Sequence, residues 1–324
     1  MILPCIERKK KGPMDKEDIP VPDLPERDFT VRLRDGRSMG IASIGHNDGF
    51  PILHCHGSGS SRLEVKLFAT QAAEAGVRLI GLDRPGIGRS DPKPGYRLLD
   101  WPNDVEEVAD YLNLERFAVE GLSAGGPYAL ACACKIPQRL TACGLISTVS
   151  PPDLVRKAGT RAMRTIGWIG THVPHLLLLY ARLIQRLTGS DAASIEKYLA
   201  RYAARLGKAD QQILSNPEMR GQIAQVMAES FRQGAAGNLE VVLTEVQPWG
   251  FQGEQIAFEK LFLWHGEQDR IMPVEPARLL AQLLPHCTAT FYPDEGHFST
   301  MANHARDIFH QLRGAAEGTW PAFG

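Results

Sequence analysis

The sequence predicts an α/β protein: a mostly parallel sheet flanked by helices, with an all-helical block inserted between two of its later strands. Three observations predict it. Strand-like and helix-like segments alternate through residues 26–150 and again through 248–324, and the strands run out into glycine-bearing turns. From 151 to 247 the alternation stops, and apolar residues recur only at helical spacing. The chain is 44% hydrophobic and 23% charged, ordinary for a globular protein, and its 324 residues suffice for one large domain with such an insertion.

In order along the chain, residues 1–25 are rich in proline and charge and read as an extended N-terminal arm. Strands are expected at 29–33 and 39–44, joined by the turn Asp35-Gly36-Arg37. A short apolar strand at 51–55 ends in His56-Gly57-Ser58-Gly59. The apolar spacing of Leu63, Val65, Leu67, Phe68 and Ala72 predicts a helix before the strand 77–82. A second helix carries Val105, Val108 and Leu112, and the strand 117–119 follows it. Next come a helix over 124–134 and a strand over 142–147. Within the block 151–247, three helical stripes stand out: Leu176, Tyr180, Leu183, Ile184, Leu187; Ile195, Tyr198, Leu199, Tyr202; and Ile223, Val226, Met227, Phe231. The strand–helix rhythm then resumes with strands at 261–264 and 288–292 and helices at 276–284 and 300–312. An all-helical block at that point reads as a cap over one end of the sheet, its apolar stripes covering an acyl pocket.

Bulk properties exclude several classes. A formal net charge of −1 gives no broad pull toward nucleic acid or anionic membrane, and Arg8-Lys9-Lys10-Lys11 reads as a solvated tail. The six cysteines form no C-x-x-C pair and are too few for a disulfide scaffold, which suits a reducing cytoplasm. The first residues are broken by Pro4, Glu7 and the basic run, unlike a signal peptide. The apolar run around Leu176 meets Arg182 and Arg186 too soon to span a bilayer, so stable membrane association is not expected. The expected partner is a small-molecule substrate.

Gly121-Leu122-Ser123-Ala124-Gly125 fits G-x-S-x-G, and its context strengthens it: a β-rich segment precedes it and an alanine-rich helix follows. A serine that must project its hydroxyl from so sharp a turn needs small neighbours, and Gly121 and Gly125 supply them. A helix-capping serine at a tight β-to-α turn is the simpler alternative for this segment alone. A serine hydroxyl needs a base. Of ten histidines, His297 fits best, lying after the strand 288–292 and so at the same carboxyl end of the sheet as Ser123. The imidazole in turn needs a carboxylate. Asp269, deep in the turn after the strand 261–264, is favoured over Glu267 and Asp153. Two backbone donors for an oxyanion are expected at Ala124, after the nucleophile, and Ser58, in the loop begun by His56 and Gly57. His54-Cys55-His56 could be read as a metal-binding H-x-H pair, but no further ligands at suitable spacing accompany it, and no metal is expected. No Rossmann or phosphate-loop fingerprint appears.

His56-Gly57, the run Asp-Arg-Pro-Gly-Ile-Gly-Arg-Ser at 83–90, the glycines around Ser123, Asp269 and Gly296-His297 together resemble the α/β-hydrolase superfamily over about residues 27–315. The resemblance implies an eight-stranded core, a helical lid after the sixth strand, and catalysis without a cofactor. It implies hydrolysis of a small to medium, largely apolar carboxylic ester through an acyl-enzyme. Amide, thioester or carbon–carbon hydrolysis, lyase and perhydrolase chemistry are alternatives on the same residues. Epoxide hydrolases and haloalkane dehalogenases use aspartate where this chain has Ser123. The elbow tryptophan of proline iminopeptidases is replaced by Leu122 and Ala124. A ligand-binding sensor on a hydrolase scaffold is the alternative from another class. With the superfamily's strand order, Glu120 neighbours the strand ending at His54-Cys55-His56. Burial there is costly for a carboxylate unless it is paired, so Glu120 is expected to bond His54, His56 or the oxyanion loop and brace Ser58; the alternative is that the strand has already ended and Glu120 meets water.

Overall fold

The computed structural model describes residues 26–319, so the arm expected at 1–25 lies outside the described residues. Eight strands form one sheet: β1 (Arg27–Arg32), β2 (Ser38–Ile44), β3 (Phe50–Cys55), β4 (Val77–Leu82), β5 (Phe117–Leu122), β6 (Leu140–Ile146), β7 (Leu261–Gly266) and β8 (Cys287–Tyr292). Their spatial order is β1-β2-β4-β3-β5-β6-β7-β8. β1 and β2 are antiparallel, as a tight turn requires, and β2 runs antiparallel to β4. Every later pair is parallel and needs a crossover.

The crossovers supply helices to both faces: α1 (Ala69–Glu74), α2 (Trp101–Tyr111), α3 (Gly126–Lys135), and, after the insertion described below, two further helices at Val274–Leu283 and His297–Glu317. A 3-10 turn at Arg62–Phe68 precedes α1. One core joins the sheet to α2, α3 and the helix Val274–Leu283 through Trp101, Val105, Tyr128, Leu130 and Leu280. The other joins the opposite face to α1 and the helix His297–Glu317 through Ala72, Met301, Ile308, Phe309 and Leu312. Burying each such large apolar side chain contributes about 1.5–3 kcal/mol, enough to fix which face each strand residue takes.

Between β6 and β7 the described residues hold seven helices: α4 (Pro152–Ala158), α5 (Arg161–His172), α6 (Pro174–Thr188), α7 (Ala192–Tyr202), α8 (Lys208–Ser215), α9 (Pro217–Ser230) and α10 (Ala236–Val246). The two later helices are α11 (Val274–Leu283) and α12 (His297–Glu317). A small core of their own, including Ile195, Leu199, Leu214, Ile223 and Ala224, ties α7, α8 and α9 together. No helix among the described residues is long and apolar enough to cross a membrane.

Three differences from the sequence expectation have physical causes. β5 runs on through Glu120 and Gly121 to Leu122, because both neighbouring strands pair with it there: Glu120 lies opposite His54 and Gly144. α12 begins at His297 itself instead of near residue 300. Its first N–H groups are capped from α8, a contact 87 residues away along the chain that no local pattern announces. Leu176 and Leu183 of α6, expected to cover an acyl pocket, are instead 47% and 53% exposed. Amphipathicity marks an apolar face but not what that face meets.

Candidate active site

Ser123 stands at the carboxyl end of central β5, where a 3-10 turn leads into α3. Its φ is +55°, a left-handed conformation that a side-chain-bearing residue rarely adopts, so the turn is held by its surroundings. The glycines show how tightly. A Cβ on Gly121 would lie 2.2 Å from the Gly125 carbonyl oxygen, and one on Gly125 would lie 1.8 Å from that of Cys55. Only glycine lets β5, β3 and α3 approach so closely. Behind the turn, Val149 N–H donates to the Ser123 carbonyl at 3.0 Å.

His297 opens onto the same cavity as Ser123, as do Gly57 and Ser58. Its Nδ1 lies 2.7 Å from Asp269 Oδ2. The other Asp269 oxygen accepts from Ile271 N–H and Met272 N–H, both at 2.8 Å, so the tight turn after β7 fixes the carboxylate. Burial pushes the His297 imidazolium down, but Asp269, with Asp210 and Glu64 further off, more than compensates and raises its pKa above the ordinary value. Glu267 faces solvent and pairs with Arg278, and Asp153 is exposed at the start of α4. Neither carboxylate is bonded to His297.

Asp210, on α8, has no counterpart in the sequence reading. Its fully buried carboxylate accepts from His297 N–H (2.9 Å), Phe298 N–H (2.9 Å) and Ser299 N–H (3.0 Å). The helical insertion thus caps the helix that carries His297, and the negative charge meets the positive end of the α12 dipole.

Glu120 is fully buried, with its Oε1 2.5 Å from His54 Nδ1. The opposite ring nitrogen, Nε2, meets Glu64 Oε2 at 2.8 Å, and that same oxygen accepts from Gly57 N–H at 2.9 Å. Burial disfavours the His54 imidazolium, yet the two carboxylates raise its pKa to about 10, so both ring nitrogens donate. Glu64 sits on the 3-10 turn before α1, and sequence offered no signal for it.

The oxyanion-loop candidate is held from its other side by Arg84. Its guanidinium donates from Nη2 to the Gly57 carbonyl at 2.7 Å and from Nη1 to the Ala124 carbonyl at 3.1 Å. It also stacks on Tyr128, 4.8 Å from the ring centre. His56 is pushed well below its usual pKa by burial and by Arg84. Neutral, it donates from Nδ1 to the Gly57 carbonyl at 2.8 Å and accepts Arg84 N–H on Nε2. In a trans peptide the carbonyl and the next N–H point in opposite directions, so these bonds aim Ser58 N–H away from Arg84. His54 and His56 are engaged in separate networks, and no group of three or more metal-ligating side chains occurs among the described residues.

Two cavities meet at Ser123. One, about 310 Å³, is walled by Leu67, Phe68, Tyr198, Leu199, Ile223 and Met227. The other, about 510 Å³, runs between α4, α5 and α10 and also reaches Ser58 and Ala124. The insertion therefore walls the smaller cavity with α7, α8 and α9 and the larger with α4, α5 and α10, and none of the described α6 side chains lines either.

Residues 51–303 match the protein family described as the alpha/beta hydrolase fold. The chain belongs to that family. This α/β hydrolase is 27% identical over 263 residues to a 2-hydroxymuconate semialdehyde hydrolase of Pseudomonas putida, covering 80% of this chain and 84% of the relative. It is 30% identical over 122 residues to a putative non-heme haloperoxidase of Mycobacterium phage D29, covering 37% of this chain. It spans 43% of that relative's length and 55% of that of the uncharacterized hydrolase YcgS of Bacillus subtilis. Among solved structures it is similar to a putative aryl esterase from Burkholderia cenocepacia, with a TM-score of 0.62 at 18% identity, over 90% of this chain and 100% of that one. At that identity the likeness concerns the fold alone.

Proposed function

We propose that this α/β hydrolase is a serine hydrolase that cleaves a small to medium, largely apolar carboxylic ester through an acyl-enzyme. The observation that carries the reading is the strained Ser123, φ +55°, facing a cavity shared with a His297 that is bonded to Asp269 at 2.7 Å. Ser123 Oγ attacks the ester carbonyl while His297 Nε2 takes its proton. Asp269 on Nδ1 fixes the tautomer and stabilises the imidazolium. Ser58 and Ala124 N–H stabilise the oxyanion. His297 then protonates the leaving alcohol, and water, activated by the same imidazole, releases the acid.

The apolar walls of the smaller cavity support an apolar substrate portion. Carbon–carbon bond hydrolysis on the same residues is the second reading. It is favoured by the match to the 2-hydroxymuconate semialdehyde hydrolase, which extends over four-fifths of both chains. Labelling with a fluorophosphonate, wild type against Ser123→Ala, tests the nucleophile: label that persists in the variant would refute it, and absent label in wild type would favour a ligand-binding scaffold. A panel of p-nitrophenyl esters of graded chain length, beside 2-hydroxymuconate semialdehyde, then separates the two hydrolytic readings.

A further inference from the structure

Apolar side chains such as Val155, Met163, Ile166, Trp168, Val242 and Val246 line most of the larger cavity, and one acidic side chain, Glu245 of α10, stands among them. Glu245 is 8% exposed, and its Oε1 is buried with no hydrogen-bond partner among the described residues. Glu245 lines a cavity that reaches Ser123, and an unpaired buried polar atom costs roughly 1–3 kcal/mol, so its carboxyl calls for a partner that the described protein groups do not supply. Arg84, from the loop after β4, is the countercharge that acts on it; its Nη atoms are committed to Gly57 and Ala124 and its plane to the Tyr128 face, and its buried Nε makes no hydrogen bond to Glu245.

We propose that Glu245 sets specificity in this cavity by donating its carboxylic-acid hydrogen to a neutral oxygen acceptor, an ether, hydroxyl or carbonyl oxygen, on the ester portion bound there. The proposal rests on the serine-hydrolase reading above and names its substrate class. Charge supports a neutral partner. Arg156 and Arg164 line the same cavity and the charge of Arg84 acts on Glu245, which disfavours an ammonium group. The mainly apolar wall disfavours burying a second carboxylate. Burial also pushes the Glu245 carboxyl up to about 8, with Arg84 opposing, so at neutral pH it keeps the hydrogen it must donate. The other titratable groups facing this region are Tyr128 of α3, itself pushed above its usual value by burial, and His172 of α5, stacked on Trp168 at the cavity.

The test uses matched ester pairs in which one methylene is replaced by an ether oxygen, in the acyl chain in one series and in the alcohol in the other. At pH 6.5 the wild type should favour the ether member of one series by about tenfold in kcat/KM, the worth of roughly 1.4 kcal/mol. Taking the ratio within a pair cancels the titration of His297. The ratio should fall toward one as pH rises through about 8, because a carboxylate cannot donate. Glu245→Gln, whose amide donates at every pH, should keep the preference and lose its pH dependence. Glu245→Met should abolish the preference and favour the all-methylene ester. A preference that survives Glu245→Met, rises with pH, or is missing from both series overturns the proposal. So does selection of a carboxylate-bearing ester that survives Glu245→Met, which would point to Arg156 and Arg164. Thermal shifts with the corresponding ketone pairs read the same preference without turnover, so an inert Ser123 would refute the hydrolase reading and still leave the role of Glu245 decided by binding.

Discussion

Asp210 offers a test of how the insertion and the α/β core depend on each other. Its carboxylate is shared by three N–H groups at the start of α12, one oxygen serving Phe298 and Ser299 and the other His297. Losing an ordinary helix cap costs about 0.5–2 kcal/mol. Here three donors, two of them on buried residues, lose a charged acceptor at once, so Asp210→Ala should destabilise by about 2–4 kcal/mol. Asp210→Asn can keep its oxygen toward Phe298 and Ser299 but turns an amide NH₂ toward His297 N–H, for a loss of about 1–2 kcal/mol. Each kcal/mol lowers Tm by about 2–4 °C in a domain of 150–250 residues. A purely structural cap would stop there. Asp210 also favours the charged imidazole of His297. Removing that anion lowers the His297 pKa, so the free base persists to lower pH and the acid limb of kcat/KM moves downward. Thermal melts and a pH–rate profile of Asp210→Asn measure both effects. An unchanged Tm would refute the capping argument. An acid limb that stays put or moves up would refute the electrostatic one.

Asp269→Asn should reduce kcat by about 10³–10⁴-fold through loss of the imidazole's orientation and countercharge, whereas Glu267→Gln, which loses only an exposed pair with Arg278, should change ester turnover little. Equal losses would reassign the acid. His54, raised to about 10 in the fold from 6.5, contributes stability that is fully present below pH 6.5 and is lost as pH rises through about 10. Tm should therefore fall between pH 7 and 10, with a shallower slope in Glu120→Gln, and Glu120→Ala should lower kcat more than it changes KM; parallel melts of wild type and Glu120→Gln would contradict the linkage. Arg84→Met should reduce kcat about tenfold at nearly constant KM, less than the 10²–10³ of an oxyanion donor lost outright, because His56 still holds the Gly57 carbonyl. Arg84→Lys should recover part of the loss, and an effect confined to KM would exclude a role in aligning Ser58.

What the sequence discloses about this site divides by the range of the interaction. Ser123, Asp269 and His297 could be nominated because each sits in a turn just beyond a strand, where small residues and strand–helix punctuation form local patterns. Glu120 could be nominated because an acid inside an apolar central strand conflicts with its surroundings and demands a partner. His54 is that partner. Glu64, Asp210 and Glu245 left no such trace, and Arg84 lay in the recognised run 83–90 with no role assigned to it. Glu64 and Arg84 are polar residues in loops and turns, where polarity is ordinary, and their meaning comes only from the carbonyl or N–H they reach. Asp210 and Glu245 are buried on α8 and α10, inserted helices that none of the three apolar stripes marked. The exposed Leu176 and Leu183 show the same limit from the other side: periodicity found the helix, but these two residues of its apolar stripe do not cover the pocket expected beneath them. The division follows the chemistry. Groups that must sit at strand ends are written as local motifs on the core, whereas Glu64 and Arg84 act through contacts within the core that are distant in sequence, and Asp210 and Glu245 through packing between that core and the inserted helices. Substitutions in the insertion should therefore alter which substrate is accepted, and how firmly His297 is held, without touching a residue of any recognisable motif.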